Sequence, residues 1–316
     1  MENKCLYCYN SLNGEVDFHE KCCIKFFGTT TPPAIPYSIG EMTLLAKEVV
    51  ERSVSVPGVQ AKLSMSMVKE ARGKGGARLT VVGALGGQYI FKPPSEQYPE
   101  MPENEHVTMR IAEAFGIRVV PSSLIRLASG ELSYIIKRID RTDMGEKIHM
   151  LDMVQITEAS DKYKSSMEKV GQALHSYSDN TTLDKVFYLE LSMFCFLTGN
   201  SDMHLKNFSM IESRTGWLLA PAYDLLNVAI VNPEDTEELA LTLEGKKKKF
   251  KREHFERLGK GMELTEKQIQ GVVYRMIKHK PIAGEWINNS FLSQEMKEAY
   301  NKTIEARYGQ LKLTDG

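Results

Sequence analysis

The sequence predicts an α+β protein whose first part is rich in β-strands and whose second part is helical. Strand-like runs, apolar or β-branched and bounded by glycine, lie almost entirely before residue 140. Beyond Asp140 the apolar residues recur almost throughout with a helical period. The length of 316 residues also exceeds that of one typical domain, which favours two lobes.

The elements follow in order along the chain. A linker at residues 29–33 precedes a helix at 39–52, a loop at 53–60 and the first strand. A helix at 103–115 has Gly116 as its stop signal. The predicted strands cover residues 61–68, 78–82, 88–91, 119–127 and 132–139. We place the borders of the parts at 1–31, 32–141 and 142–316.

Composition and charge exclude several classes of protein. With 42% hydrophobic and 26% charged residues, the chain is neither collagen-like nor disordered nor a coiled coil. The 40 Lys and Arg residues against 41 Asp and Glu argue against a direct nucleic-acid binder. The most apolar stretch, residues 186–197, is too short to cross a bilayer and contains Glu190. The N-terminus has no signal pattern, so we expect a cytoplasmic protein without membrane contact.

Four of the five cysteines lie in the first 23 residues. Cys5 and Cys8, followed by His19 and Cys22, have the spacing of a tetrahedral Zn²⁺ site. Cys23 could be the fourth zinc ligand instead of Cys22. Scattered thiols in a frayed N-terminus are the alternative, and a reducing compartment disfavours a disulfide. Cys195, inside an apolar helical pattern, is expected to be a core residue.

A polar loop between an apolar helix (183–197) and a short strand (208–211) contains the most informative residues. Asp202 precedes Asn207 by five positions, and Asp224 follows in a second loop. This order suits a kinase catalytic loop, in which the Asp accepts the substrate's hydroxyl proton and the Asn and second Asp bind a metal ion. The alternative is that both aspartates only cap turns.

Lys92 at the end of a predicted strand and Glu105 in the next helix could form the kinase pair that neutralises ATP phosphates. An exposed lysine on an edge strand is the alternative. Upstream, residues 57–62 contain Gly58 and could offer backbone N–H groups to phosphates.

Together these motifs resemble the HipA-like serine/threonine kinases, toxins of bacterial toxin–antitoxin modules with a two-lobed kinase fold, and most of all their short HipT branch. The resemblance extends from about residue 52 to 227 and is weaker towards the C-terminus. The matching stretches are residues 53–62, 91–94, 103–106, 138–141, 155–157, 199–208 and 220–225.

The resemblance implies a role for each matching residue. Asp202 would be the catalytic base, Asn207 and Asp224 the Mg²⁺ ligands, and Lys92, held by Glu105, the contact to the ATP phosphates. The remaining site residues are His204 and Lys206 in the catalytic loop, Gly58, Val59, Gln60 and Lys62 in the phosphate loop, and Lys137, Arg138 and Ile139 in the adenine hinge. Longer HipA proteins have a Glu where this chain has Lys137.

The resemblance also implies regulation and partners. Ser53 and Ser55 match paired serines that are autophosphorylated in HipT-like kinases; otherwise they would cap a helix or fill a turn. A protein substrate such as an aminoacyl-tRNA synthetase, a HipB-like antitoxin and a small HipS-like partner are expected, with DNA bound only through the antitoxin. The alternatives are a corepressor subunit that is catalytically weak and a small-molecule phosphotransferase.

Overall fold

The chain folds into two units. The computed structural model describes residues 3–52, 62–69, 76–82, 86–95, 97–142 and 144–313. One unit comprises Met1–His106 and Val120–Lys147, and the other comprises Val107–Val119 and Ile148–Gly316. The borders therefore differ from those expected at residues 31 and 141, because the N-terminal segment packs with the first unit and residues 107–119 pack with the second.

The first unit is built on an antiparallel sheet of five strands in the order β2-β1-β3-β5-β4. In β1 the buried Leu63 and Met65 alternate with half-buried residues, whereas β4 and β5 each contain four buried residues in a row. All five strands were predicted from the sequence, with ends shifted by at most three residues. They are β1 (Leu63–Lys69), β2 (Ala77–Val82), β3 (Tyr89–Lys92), β4 (Ser122–Arg126) and β5 (Leu132–Lys137).

Two helices precede this sheet and a third interrupts it. They are α1 (Glu20–Phe27), α2 (Ile39–Arg52) and α3 (Met101–Ala114). The spacing of the N-terminal cysteines gave no indication of α1. The predicted helices at 39–52 and 103–115 are confirmed. Helix α3 contributes its residues up to His106 to the first unit and the rest to the second.

The second unit is not as uniformly helical as its sequence pattern predicts. A sheet of three short antiparallel strands, in the order β6-β7-β8, consists of β6 (Met150–Asp152), β7 (Ser209–Ser213) and β8 (Gly216–Leu219). Only β7 corresponds to a predicted strand. β6 and β8 have three and four residues, too few to show a period of two.

Helix α6 lies at the centre of the second unit. Its residues from Tyr188 to Leu197 are buried without exception, which explains why they are so apolar. The helices of this unit are α4 (Met153–Ile156), α5 (Met167–Tyr177), α6 (Thr181–Leu197), α7 (Val228–Val231), α8 (Arg252–Gly261), α9 (Glu266–Asn289) and α10 (Gln294–Leu311). Among the described residues, no helix combines the length and the apolar character needed to cross a bilayer.

Candidate active site

The loop that carries Asp202 begins where the buried helix α6 ends. Helix α6 ends at Thr198, whose backbone N–H and hydroxyl both donate to the carbonyl of Phe194 at 2.9 Å. Gly199 follows with φ of 71°, a left-handed conformation that glycine adopts without strain. The packed end of α6 thus fixes the position at which the loop starts.

Gly199 also approaches its neighbours too closely for any side chain. A Cβ atom there would lie 2.6 Å from Asn227 Oδ1 and 2.9 Å from Thr303 Cγ2. The Gly199 carbonyl accepts hydrogen bonds from the backbone N–H groups of Val228 and Ala229 at 3.0 and 3.1 Å. The start of the loop is therefore fixed against helix α7.

Asp202 and Asn207 are joined across the loop. The Asn207 side-chain amide donates to the Asp202 carbonyl at 3.1 Å, and the His204 backbone N–H donates to the same carbonyl at 2.8 Å. A 3-10 turn, Leu205–Asn207, closes the loop before β7. Because the amide nitrogen of Asn207 is used in this bond, its Oδ1 is the atom that fits a metal ion.

Tyr163 contacts the Asp202 carboxylate directly. Its hydroxyl donates to Asp202 Oδ1 at 2.7 Å, and its ring lies edge-on to the His204 ring with centroids 5.0 Å apart. Burial, followed by the hydrogen bond to Asp202, raises the pKa of Tyr163, so the hydroxyl stays protonated and donates. The sequence analysis missed Tyr163, because its surroundings are polar and have no periodic pattern.

Asp224 follows a segment that is bonded to the catalytic loop. The Tyr223 hydroxyl donates to the Lys206 carbonyl at 3.0 Å and forms a second bond, of 2.6 Å, with the Ser209 hydroxyl. Asp224 itself has φ of 61°, uncommon for a residue other than glycine. Tyr223, a second residue that the sequence analysis missed, thus ties the Asp224 segment to the loop.

The carboxylates of Asp202 and Asp224 both act on the pKa of His204. Its imidazole is buried, and burial lowers its pKa although the charges of Asp202 and Asp224 both act to raise it. The two predicted acidic residues therefore belong to one electrostatic environment in the second unit. Lys206, by contrast, is exposed.

Lys92 and Glu105 form a buried ion pair within the first unit. The Lys92 ammonium lies 2.6 and 2.7 Å from the two carboxylate oxygens of Glu105, and the residues are 4% and 1% exposed. Lys92 Nζ also lies 5.4 Å from the centroid of the Tyr134 ring. The alternative of an exposed edge-strand lysine is wrong, because β3 lies between β1 and β5.

The predicted adenine hinge lies at the end of β5. The backbone N–H groups of Lys137 and Arg138 donate to the carbonyls of Pro121 and Gln88, both at 2.9 Å. Because these two N–H groups are already used, the segment would contact an adenine base through its carbonyl groups and through Ile139. The Arg138 side chain is bound to Asp140 at 2.6 and 2.9 Å.

Several predicted residues lie outside the described part of the chain. These are Ser53, Ser55, Gly58, Val59 and Gln60. Lys62 is described and exposed just before β1. The phosphate loop and the autophosphorylation sites thus stay predictions.

The N-terminal Cys and His residues come together in the first unit. The ligand atoms of Cys5, Cys8, His19 and Cys22 all lie within 4.8 Å of one another. A hydrogen bond with the Cys8 thiol lowers the pKa of Cys5 to about 4. Cys195 is buried in α6, as expected of a core residue.

Comparison with known proteins supports the resemblance seen in the sequence. A family model described as "HipA-like C-terminal domain" matches residues 54–283. The putative kinase Y4dM of Sinorhizobium fredii is 34% identical over 231 residues, covering 68% of this chain and 55% of its own. A putative kinase of Haemophilus influenzae is 25% identical over 311 residues, covering 89% and 88%.

The serine/threonine-protein kinase toxin HipA of Shewanella oneidensis is 28% identical over 214 residues, covering 60% of this chain and 47% of its own. The chain thus spans about half the length of the Sinorhizobium and Shewanella relatives, at 55% and 47%, and most of the Haemophilus one, at 88%.

Two solved structures share the fold. One is HipA of Shewanella oneidensis in complex with HipB and its operator DNA, with a TM-score of 0.67 at 21% identity over 88% of this chain and 72% of that one. The other is the Helicobacter pylori proinflammatory kinase CtkA, with a TM-score of 0.53 at 16% identity over 79% and 93%. The predicted α+β, kinase-like fold is confirmed.

Proposed function

This chain belongs to the family of HipA-like C-terminal domains, and from that premise we propose that it is an ATP- and Mg²⁺-dependent serine/threonine protein kinase. One observation carries the proposal. The Asn207 side chain donates a hydrogen bond to the Asp202 carbonyl within one loop. The Tyr223 hydroxyl, next to Asp224, donates to the Lys206 carbonyl of the same loop. This arrangement supplies a proton acceptor and two oxygen ligands in the order that phosphoryl transfer requires.

Each residue of the loop has a separate task in this proposal. Asp202 accepts the proton of the substrate hydroxyl, while the Tyr163 hydroxyl holds one of its carboxylate oxygens in place at 2.7 Å. Asn207 Oδ1 and the Asp224 carboxylate would hold Mg²⁺. A bound Mg²⁺ neutralises charge on the transferred phosphoryl group. Lys206, exposed within the loop, supplies a further positive charge.

The first unit contributes the nucleotide contacts. The ammonium of Lys92 is held by Glu105 and interacts electrostatically with the nucleotide phosphates, as a strand lysine does in protein kinases. We assign Gly58, Val59, Gln60 and Lys62 to phosphate binding and residues 137–139 to adenine binding by their match to the family.

Assignment to the HipT branch leads to a proposal for control. Phosphorylation at Ser53 or Ser55 would add about 1.5 to 2 negative charges beside the nucleotide phosphates. Like charges repel, so the modified enzyme should bind ATP less well. Intact-mass measurement of the active protein, with Ser53→Ala/Ser55→Ala as the unmodifiable control, tests this proposal.

The proposed partners follow from the relatives. A HipB-like antitoxin is supported by the Shewanella HipA structure, which contains HipB and operator DNA. We further propose a small HipS-like partner, DNA contact only through the antitoxin, and a translation protein such as an aminoacyl-tRNA synthetase as substrate.

Radiolabelled ATP tests the activity. The purified protein with Mg²⁺ should label itself or a protein in a cell extract, on serine or threonine. Asp202→Asn should reduce labelling at least about 1,000-fold at unchanged melting temperature, because the variant keeps the side-chain volume but loses the proton acceptor. Glu212→Gln, which alters an exposed carboxylate of β7, is the matched control and should keep full activity.

The alternative functions give different results. If the label appears only in a small molecule, the protein is a small-molecule phosphotransferase and the protein-kinase proposal is wrong. Equal transfer by Asp202→Asn and the native protein would remove Asp202 as the base. No transfer by the native protein, together with operator binding in the presence of the antitoxin, would favour the corepressor function.

A further inference from the structure

The N-terminal segment of the first unit contains a ligand set that phosphoryl transfer does not use. We propose that Cys5, Cys8, His19 and Cys22 bind one structural Zn²⁺ ion. His19 Nδ1 lies 3.4 Å from Cys8 Sγ and 3.9 Å from Cys22 Sγ. Ligands at about 2.0–2.3 Å from a shared tetrahedral zinc lie roughly 3.5–3.8 Å apart. The two distances from His19 are close to this range, and the whole set, within 4.8 Å, needs to contract by about 1 Å at most.

The backbone brings the two pairs together. Tyr9 N–H donates to the Cys5 carbonyl, and Cys5 N–H donates to the Asn10 carbonyl, both at 2.9 Å, so the chain folds back between Cys5 and Cys8. His19 precedes α1, and Cys22 N–H donates to the His19 carbonyl at 3.0 Å. The second pair therefore lies within a single turn, on the side that faces the first pair.

A hydrogen bond outside the cluster orients the histidine as a ligand. His19 Nε2 lies 3.1 Å from the carbonyl of Ser11, which can only accept. The proton of the neutral imidazole is therefore on Nε2, and the lone pair of Nδ1 faces the sulfur atoms. Histidines bound to zinc make this type of bond to a backbone carbonyl or a carboxylate.

The structure also separates the two neighbouring cysteines. Cys22 Sγ belongs to the cluster, whereas Cys23 Sγ lies 4.0 Å from the Thr29 hydroxyl. The choice that the sequence left open thus falls on Cys22. Three thiols and one imidazole in a closed set of four favour Zn²⁺ over oxygen-preferring ions such as Mg²⁺ or Ca²⁺.

The proposed ion would hold together an N-terminal segment that packs against the sheet. The segment reaches β4 through the bond from Leu124 N–H to the Leu6 carbonyl, of 3.3 Å, and through the ion pair of Asp17 with Arg126, of 3.0 Å. At its other end, the Phe26 ring of α1 lies 6.0 Å from the ring of Tyr89 in β3. Binding of the metal therefore contributes to the folding of the first unit.

Metal analysis of the native protein is the first test. The full chain, purified without chelators, should retain about one zinc per molecule by mass spectrometry of the metals. When the metal is replaced by Co²⁺, the protein should show the intense visible absorption of tetrahedral cobalt together with the sulfur-to-cobalt charge-transfer band. A native protein that retains no zinc and gives no such spectrum would overturn the proposal.

Adjacent cysteines supply the matched control. Cys22→Ser should lose the bound zinc, whereas Cys23→Ser should retain it, although both alter a buried thiol of α1. Retention of zinc by Cys22→Ser, or its loss from Cys23→Ser alone, would contradict the ligand set.

The His19 variants keep the test valid if Cys22→Ser fails to fold. His19→Cys should retain zinc with four sulfur ligands and shift the cobalt spectrum, whereas His19→Ala should bind it at least 10-fold more weakly. An unchanged cobalt spectrum in His19→Cys would exclude His19 as a ligand. These readouts do not depend on kinase activity, so either proposal can fail without the other.

Discussion

Lys92 and Glu105 are charged residues in an environment from which water is almost excluded. A buried ion pair gains little net stability over an apolar pair, but removal of one partner leaves the other charge without compensation. The sequence places a lysine in a strand and a glutamate in a helix, and folding brings them within 2.6 Å. The ion pair therefore adds little stability of its own, which agrees with the proposed role of Lys92 in nucleotide binding.

We expect Lys92→Met to lower the free energy of unfolding by about 3–5 kcal/mol, because the Glu105 carboxylate stays buried without its ammonium partner. Urea denaturation measures the loss. The double variant Lys92→Met/Glu105→Gln should recover most of the stability, since no buried charge remains, but it should not recover ATP binding. Recovery of both would show that Lys92 acts only structurally.

Tyr163→Phe tests the hydroxyl that holds Asp202. A hydrogen bond to a charged group contributes about 1.5–3 kcal/mol, and water will replace part of it at this half-exposed position, so we expect kcat to fall about 10-fold. KM for ATP should stay the same. Tyr177→Phe is the control, since Tyr177 is 59% exposed in α5. Equal kcat values for both variants would remove Tyr163 from the site.

At the residue scale, the sequence predicted the proton acceptor and the metal ligands but not the two tyrosines that position their segments. Asp202, Asn207 and Asp224 are recognisable because their order and spacing follow from the chemistry. Tyr163 and Tyr223 act through a single hydroxyl each, from segments that are distant in sequence from the groups they bind. No local pattern marks such a contact, so only the fold reveals it.

At the element scale, prediction succeeded where an element is long enough to show its period. The five strands of the first sheet are bounded by turn residues and contain β-branched and aromatic side chains. Strands β6 and β8 are too short for this, and they form only because β7 lies between them. Helix α1 has just eight residues, and its four buried side chains are a cysteine pair and a phenylalanine pair.

The junction between α6 and the catalytic loop depends on Gly199. We expect Gly199→Ala to lower the free energy of unfolding by at least about 2 kcal/mol, because a Cβ atom meets positive φ and two close neighbours. Phosphoryl transfer should fall as the loop shifts. Thermal melting and the labelling assay measure the two effects.

Gly309→Ala in α10 is the control for that experiment. No atom lies within 4 Å of a Cβ placed there, and alanine in a helix is more stable than glycine by up to about 1 kcal/mol. The control should therefore melt at an equal or higher temperature and keep its activity. Destabilisation of the same size in both variants would mean that the conformation of Gly199 is not critical.

At the scale of the whole molecule, the chain divides into two compact units. Only the first unit contains the proposed zinc ligands. Removal of the metal should therefore accelerate amide hydrogen exchange in α1 and β4, which the N-terminal segment contacts, and leave the amides of α6 protected. Hydrogen exchange followed by mass spectrometry resolves these segments. Acceleration of equal size throughout the chain would contradict this separation.

The backbone at Asp224 also restricts how the proposed kinase could lose its activity in evolution. With φ of 61°, the position favours Gly, Asn and Asp, and it strains side chains that branch at Cβ. A lineage that no longer needs catalysis is therefore not free to drift there to an arbitrary residue. Homologues that have lost the activity but keep the fold are expected to carry Asn or Gly at the position of Asp224. The residue at this position in a homologous sequence would therefore distinguish inactive homologues from active ones.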